Sequence, residues 1–281
     1  MIDMHTHSTY SDGTCSPLEL IHLAKEANLT AIALTDHDTI NGIKEAKEAA
    51  KQYNLELISG IEFATMYEEF NREIHIIGLF IDENSKYLNE KLEFIKNSRL
   101  KRNLKMIEKL QNLGFDITYD ELKEISKSEI ITRAHYAKIL ELKKYVKNKK
   151  EAFQKYISPS KPAYVEREFL TPKICIETIL KSGGIAVLAH PTLYNLNYLQ
   201  IELMCKKLIE YGLKGIEGYY STYTKNQEKE ILKIAKNLNL LISGGSDFHG
   251  DNKPDIKIGV GRGNLNIPYT LLEDMKKTLT F

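Results

Sequence analysis

The sequence predicts an α/β protein whose mostly parallel strands alternate with helices, closed as a barrel or left as an open sheet, with one helical insertion. Three observations predict this. Short apolar runs of strand length recur along the chain and end on polar residues. Stretches with helical spacing separate most of them. Over residues 85–165 the alternation stops, and a Lys-rich helical pattern without a buried strand takes over. A loop of that size needs structure of its own.

Residues 1–4 form a short, mostly apolar stretch and run into His5. A helix opens at Ser16-Pro17, where Ser16 can cap and Pro17 suits the first turn; Leu20, Leu23, Ala24 and Ala27 form its apolar face. Residues 30–35 read as a buried strand ending at Asp36-His37-Asp38, and a helix over about 40–53 follows. Residues 55–62 form the next strand, ending on Glu62, and residues 73–80 a further one. Beyond residue 170, a helix at about 172–182 leads to strand 185–189 and His190. A helix at about 197–211 leads to strand 213–217, and one at about 225–238 leads to strand 240–243, followed by Gly244-Gly245-Ser246-Asp247. Residues 1–84 and 166–281 are thus expected to form the barrel body, and residues 85–165 an insertion that covers its mouth.

The composition excludes several classes. With 281 residues, 42% hydrophobic and 27% charged, the chain can bury a full core and is neither disordered nor of low complexity. No apolar run approaches the roughly 18 residues of a membrane span, and the amino terminus lacks the pattern of a secretory leader. Three scattered cysteines, Cys15, Cys175 and Cys205, suit a reducing cytoplasm. The net charge of +1 hides an asymmetry: residues 85–165 hold 19 Lys+Arg against 10 Asp+Glu, and the remainder 20 against 28. The basic segment reads as solvated Lys-rich helix faces first, and otherwise as a basic flap that draws an anionic substrate toward an acidic, cation-binding body. The net charge is silent on assembly, and no stable protein partner is inferable from it.

Six of the eight histidines, His5, His7, His37, His75, His190 and His249, lie in or just beyond apolar strand-like runs. Asp12, Glu62 and Asp247 occupy matching places. In a β/α barrel the strand ends share one face, which brings these nine groups together. In His5-Thr6-His7 two imidazoles point to one side of extended backbone, and Asp247-Phe248-His249 has the same form. Imidazole and carboxylate donors without thiolates suit zinc, manganese or iron. Nine donors exceed one site, so two or three divalent ions fit, with Glu62 the candidate bridge.

His5-Thr6-His7-Ser8 with Asp12-Gly13, Thr35-Asp36-His37-Asp38, Gly60-Ile61-Glu62, His75, Ala189-His190-Pro191 and Gly245-Ser246-Asp247-Phe248-His249 resemble, in order, the motif set of the PHP (polymerase and histidinol phosphatase) superfamily. The resemblance implies a distorted seven-stranded β/α barrel, a trinuclear metal centre and phosphoester hydrolysis. It implies one metal on His5, His7, Glu62 and Asp247, a second on Asp12, His37 and His249, and a third on Glu62, His75 and His190. Asp12 stands where some members place histidine. Three such ions against three carboxylates would leave a site of about +3, which favours a phosphate dianion and supplies hydroxide from water near neutral pH.

The insertion carries a second group. Thr132-Arg133-Ala134-His135 and Ser160-Lys161-Pro162-Ala163-Tyr164-Val165, with Ile216-Glu217-Gly218-Tyr219-Tyr220-Ser221, resemble motifs of the nucleoside bisphosphate phosphatase and RNase AM branch. Arg133 offers a fork for a second phosphate, Lys161 a point charge and His135 a donor. The resemblance implies a metal-dependent phosphoesterase that removes the 3′-phosphate of nucleoside 3′,5′-bisphosphates or trims short RNA from its 5′ end, its partner being a small anionic phosphoester. Two alternatives are a histidinol-phosphate phosphatase and a nucleic-acid-associated PHP module; the Arg and Lys of the insertion argue against the first, and the lack of an attached polymerase or nucleic-acid motif against the second.

Overall fold

The computed structural model describes residues 1–126 and 130–279. Seven strands pair in sequence order: β1 (Ile2–Asp3), β2 (Ala31–Leu34), β3 (Glu56–Tyr67), β4 (Arg72–Leu79), β5 (Ile185–Leu188), β6 (Gly215–Tyr220) and β7 (Leu241–Gly245). The chain just past β1 closes the ring against the end of β7. Met4 N–H donates to Gly244 O at 3.1 Å, and Asp247 N–H to His5 O at 2.9 Å. The result is a distorted, nearly closed seven-stranded barrel with helices around it.

β1, β2 and β3 run parallel, as do β5, β6 and β7. β4 is antiparallel to both neighbours. The expected strand at 73–80 is there, but its direction departs from the parallel series. Only a short turn, Glu68–Phe70, joins it to β3, and a parallel connection needs a crossover of a dozen residues or more. His75 consequently reaches the barrel mouth from the first half of β4, beside Ala64 of β3.

Around the barrel lie α1 (Pro17–Glu26) and α2 (Ile43–Tyr53). Ser16 caps α1 reciprocally with Glu19, and Pro17 sits in its first turn. The insertion contributes α3 (Lys86–Asn112), α4 (Tyr119–Ser126), α5 (Arg133–Leu142) and α6 (Lys149–Ala152), which runs on as a π turn over Phe153–Ile157. Residues 127–129 of the insertion lie outside the described residues. Leu88 and Ile95 of α3 pack into the barrel core, whereas Met106, Leu110, Ile117, Tyr136 and Leu140 form a separate apolar cluster. α7 (Pro172–Lys181), α8 (Tyr198–Glu210), α9 (Lys225–Asn237) and α10 (Thr270–Lys277) complete the outer layer. Among the described residues, no helix is long and apolar enough to cross a membrane.

Candidate metal centre

The backbone brings the site together before any side chain is considered. Thr6 ties the first motif to β2: its N–H donates to Thr35 Oγ1 at 3.1 Å and its hydroxyl to Ala33 O at 2.6 Å. That leaves His5 and His7 facing the mouth, as the alternation of extended backbone requires. Glu62 lies within β3, and Asp247 and His249 follow β7. Asp247 and His190 hold positive φ, 56° and 25°, backbone conformations that non-glycine residues seldom adopt outside constrained sites.

Glu62 is the hub. Its Oε2 lies 3.3 Å from His5 Nε2, 3.2 Å from His7 Nε2 and 3.0 Å from His37 Nδ1. Its Oε1 lies 2.8 Å from His75 Nδ1 and 3.0 Å from His190 Nε2. Asp247 Oδ1 stands 3.3 Å from His7 Nε2 and from His249 Nδ1. Asp12 Oδ1 is 3.3 Å from His249 Nε2 and 3.9 Å from His37 Nε2. All nine groups predicted from the sequence therefore converge.

Their donor atoms fall into four overlapping groups: His7, Asp12, His37 and His249; His5, His7 and Asp247; His5, Glu62 and His190; and His37, Glu62 and His75. His7 is shared between two of these groups, and His75 and His190, both against Glu62 Oε1, fall in different groups, His75 with His37 and His190 with His5.

The electrostatics call for positive charge. Burial disfavours the ionised forms of Asp12, Glu62 and Asp247, yet the surrounding histidines, and Lys253 beside Asp247, hold all three carboxyls well below the usual range. Burial also opposes the charged form of His7 and His75, but neighbouring carboxylates outweigh it and lift them to about 9 and about 10. At His37 the cost of burial outweighs the pull of Glu62 and Asp12, with His7 and His75 adding to it, and the group is pushed down to about 3. Asp12 Oδ1, His37 Nδ1 and Glu62 Oε2 are buried and make no hydrogen bond. Buried polar atoms without a partner are costly, and lone pairs packed this closely repel unless cations lie among them. The donor set and these unpartnered atoms fit divalent cations.

A surrounding layer orients the donors, and the sequence marks none of it as support for the metal site. Glu217 of β6 is fully buried; one oxygen lies 3.0 Å from His5 Nδ1, and the other accepts His190 N–H at 2.7 Å. Asp36 accepts Ser8 N–H at 2.7 Å and the Ser11 hydroxyl at 2.5 Å. Asp3 accepts Ser246 N–H at 2.9 Å and Gly259 N–H at 2.8 Å. Tyr220 donates to Asp247 Oδ2 at 2.6 Å. Glu217 and Tyr220 fall inside a motif already quoted, but their spacing carries no ligand signature.

A cavity of about 410 Å³ opens beside the centre, between barrel and insertion. Asp12, His37, His75 and His190 form part of its wall, and Arg99, Arg102, Arg133 and Arg167 another part. Arg133 reaches Glu73 Oε2 at 3.2 Å and lies over the Tyr164 ring. His135 is buried at the start of α5, where its Nδ1 accepts Thr132 N–H at 3.0 Å; burial lowers it to about 4. Lys161 sits on an exposed turn and is not part of the cavity wall. Arg99 and Arg102 were not singled out from the sequence, because a Lys-rich helix hides which of its cations face inward; Arg167 lies on irregular chain after the insertion, outside any quoted motif.

Comparison with known proteins places this geometry. The family model for the PHP domain matches residues 3–181. The chain is similar to a 5′-3′ exoribonuclease of Haemophilus influenzae, 40% identical over 88% of this chain and 89% of that protein. It is also similar to a 3′,5′-nucleoside bisphosphate phosphatase of Chromobacterium violaceum, 31% identical over 92% and 90%. A candidate metal-dependent phosphoesterase of Bifidobacterium adolescentis superimposes with a TM-score of 0.85 at 28% identity, over 98% of this chain and 94% of that one.

Proposed function

This chain belongs to the PHP domain family, and from that premise we propose that it is a cytoplasmic, metal-dependent phosphoesterase of nucleotides, removing the 3′-phosphate of nucleoside 3′,5′-bisphosphates, trimming short RNA from the 5′ end, or both. The observation that carries the reading is the juxtaposition of two unlike surfaces. Nine imidazole and carboxylate groups, with Glu62 at their hub, crowd together, and a wall of four arginines faces the same cavity. One surface suits cations and the other suits an anion at a distance from them.

His5, His7, Asp12, His37, Glu62, His75, His190, Asp247 and His249 would hold two or three divalent ions of the manganese, iron or zinc type. When bound, such ions act as Lewis acids on a phosphoryl oxygen and on water. The chain's own residues do the rest. Glu62 holds donors on both of its oxygens, His7 beside Oε2 and His75 beside Oε1, at a common centre. Arg133 and its neighbours in the cavity wall hold the phosphate remote from the scissile bond, while His135, buried at the start of α5, and Lys161, on an exposed turn outside the wall, act from further off. Tyr164 offers an aromatic face at the cavity wall. Residues 85–165 act as the flap that covers the site.

A phosphate-release screen of the purified protein with Mn²⁺ tests the reading. Nucleoside 3′,5′-bisphosphates and short 5′-phosphorylated RNA are expected to outperform mononucleotides and histidinol phosphate. Preference for histidinol phosphate, or no release from any nucleotide, would overturn it.

A further inference from the structure

Behind the arginine wall sits a carboxylate that belongs neither to the donor cluster nor to the cavity. Asp38 follows His37 on the loop leaving β2 and is buried, at 2% exposure, with φ of 55°. Its N–H donates to Glu62 O at 3.0 Å, and its Oδ1 accepts Ala64 N–H at 3.3 Å. Its Oδ2 accepts Arg99 Nε at 3.0 Å together with Arg99 Nη2, and Arg167 Nη1 at 3.0 Å. Arg99 belongs to α3, near one end of the insertion; Arg167 lies on the segment that returns from it. A single oxygen therefore gathers both flanks of the insertion onto the loop that carries His37.

The two guanidiniums also line the cavity, and Arg102 lies with them. Arg102 donates from Nη2 to Ile131 O at 3.1 Å, while its buried Nε has no partner. Burial, with Arg99 and Arg167 close by, pushes Arg102 down to about 9, so this wall is crowded with positive charge. Without a carboxylate behind them, two long side chains and like charges would spread apart.

We propose that Asp38 is a positioning residue: its carboxylate fixes Arg99 and Arg167 in the cavity wall and thereby sets the distance between the metal-binding loop and the place where the remote phosphate binds. The inference rests on the function proposed above. It makes Asp38 a determinant of preference for substrates with a second phosphate, since a one-phosphate substrate has nothing to place on that wall.

The test compares KM and kcat for adenosine 3′,5′-bisphosphate and for 4-nitrophenyl phosphate in wild type, Asp38→Asn and Arg167→Gln, with metal content measured for each. Both variants are expected to keep their metal. Their ratio of KM for the bisphosphate to KM for the aryl phosphate should rise about ten-fold or more, the scale of a lost charged hydrogen bond. The double variant should lose less than the two single losses combined. If Asp38→Asn does not fold, Asp38→Glu, which keeps the charge but displaces the carboxylate from Arg99 and Arg167, decides the point by the same ratio. An unchanged ratio in folded, metal-loaded variants overturns the proposal while wild type still turns over the bisphosphate. A wild type inert towards the bisphosphate overturns the functional reading instead.

Discussion

Glu217 Oε1 lies 3.0 Å from His5 Nδ1, so the imidazole turns its Nε2 towards Glu62 and Asp247. The same carboxylate accepts His190 N–H at 2.7 Å and so holds donors from two strand ends at once. Partners behind a ligand histidine fix its ring and tautomer. Glu217→Gln is expected to weaken metal binding about 10–100-fold, measured by competition with a chelator. Unchanged affinity would mean that Glu217 only fills space.

His5 also sets a limit on the strand beside it. A Cβ on Gly245 would stand 2.3 Å from His5 Cβ and 2.6 Å from His5 N. Backbone cannot yield as a flexible side-chain tip does, so Gly245→Ala should destabilise the fold by about 1–3 kcal/mol or more. Urea denaturation reads this directly. A midpoint equal to wild type would show that the first and last strands are less tightly joined than described.

The cavity predicts a graded response among its cations. Arg133 lies in the wall over Tyr164, whereas Lys161 is exposed and screened by water. Arg133→Ala should raise KM for a nucleoside bisphosphate about ten-fold more than for an aryl phosphate. Lys161→Ala should have the smaller effect. Equal losses on both substrates for Arg133→Ala would remove the case for a second phosphate pocket.

Cation removal should cost stability as well as activity. The cluster holds two buried carboxylates, Glu62 and Asp247, and the half-buried Asp12 beside imidazoles with unpartnered atoms, and a ligand that binds only the folded state stabilises it by about 4 kcal/mol at a thousand times its dissociation constant. Treatment with a chelator is expected to lower Tm, and adding Mn²⁺ back should restore it. A Tm indifferent to both steps would speak against cations in the folded protein.

Much of the centre was legible because ligand chemistry leaves local marks. His5-Thr6-His7 and Asp247-Phe248-His249 carry a two-residue period that extended backbone turns into a shared direction, and apolar runs place His37 and His190 at strand ends. What could not be read depends on distant partners. Nothing near Asp38 announces that Arg99 and Arg167, 61 and 129 residues away, share its oxygen. Glu217 looks like any polar residue in a strand until β6 sets it behind His5. The reversed direction of β4 follows from a turn too short to hold a helix, a feature of connection length rather than of hydrophobic pattern.

The central claim is that Glu62 sits among cations. Metal analysis of protein reconstituted with Mn²⁺, paired with anomalous scattering from its crystals, tests it most directly. Two or three ions per chain are expected, located between Glu62 and the surrounding histidines. Fewer than two ions, or ions bound away from Glu62, would contradict the account.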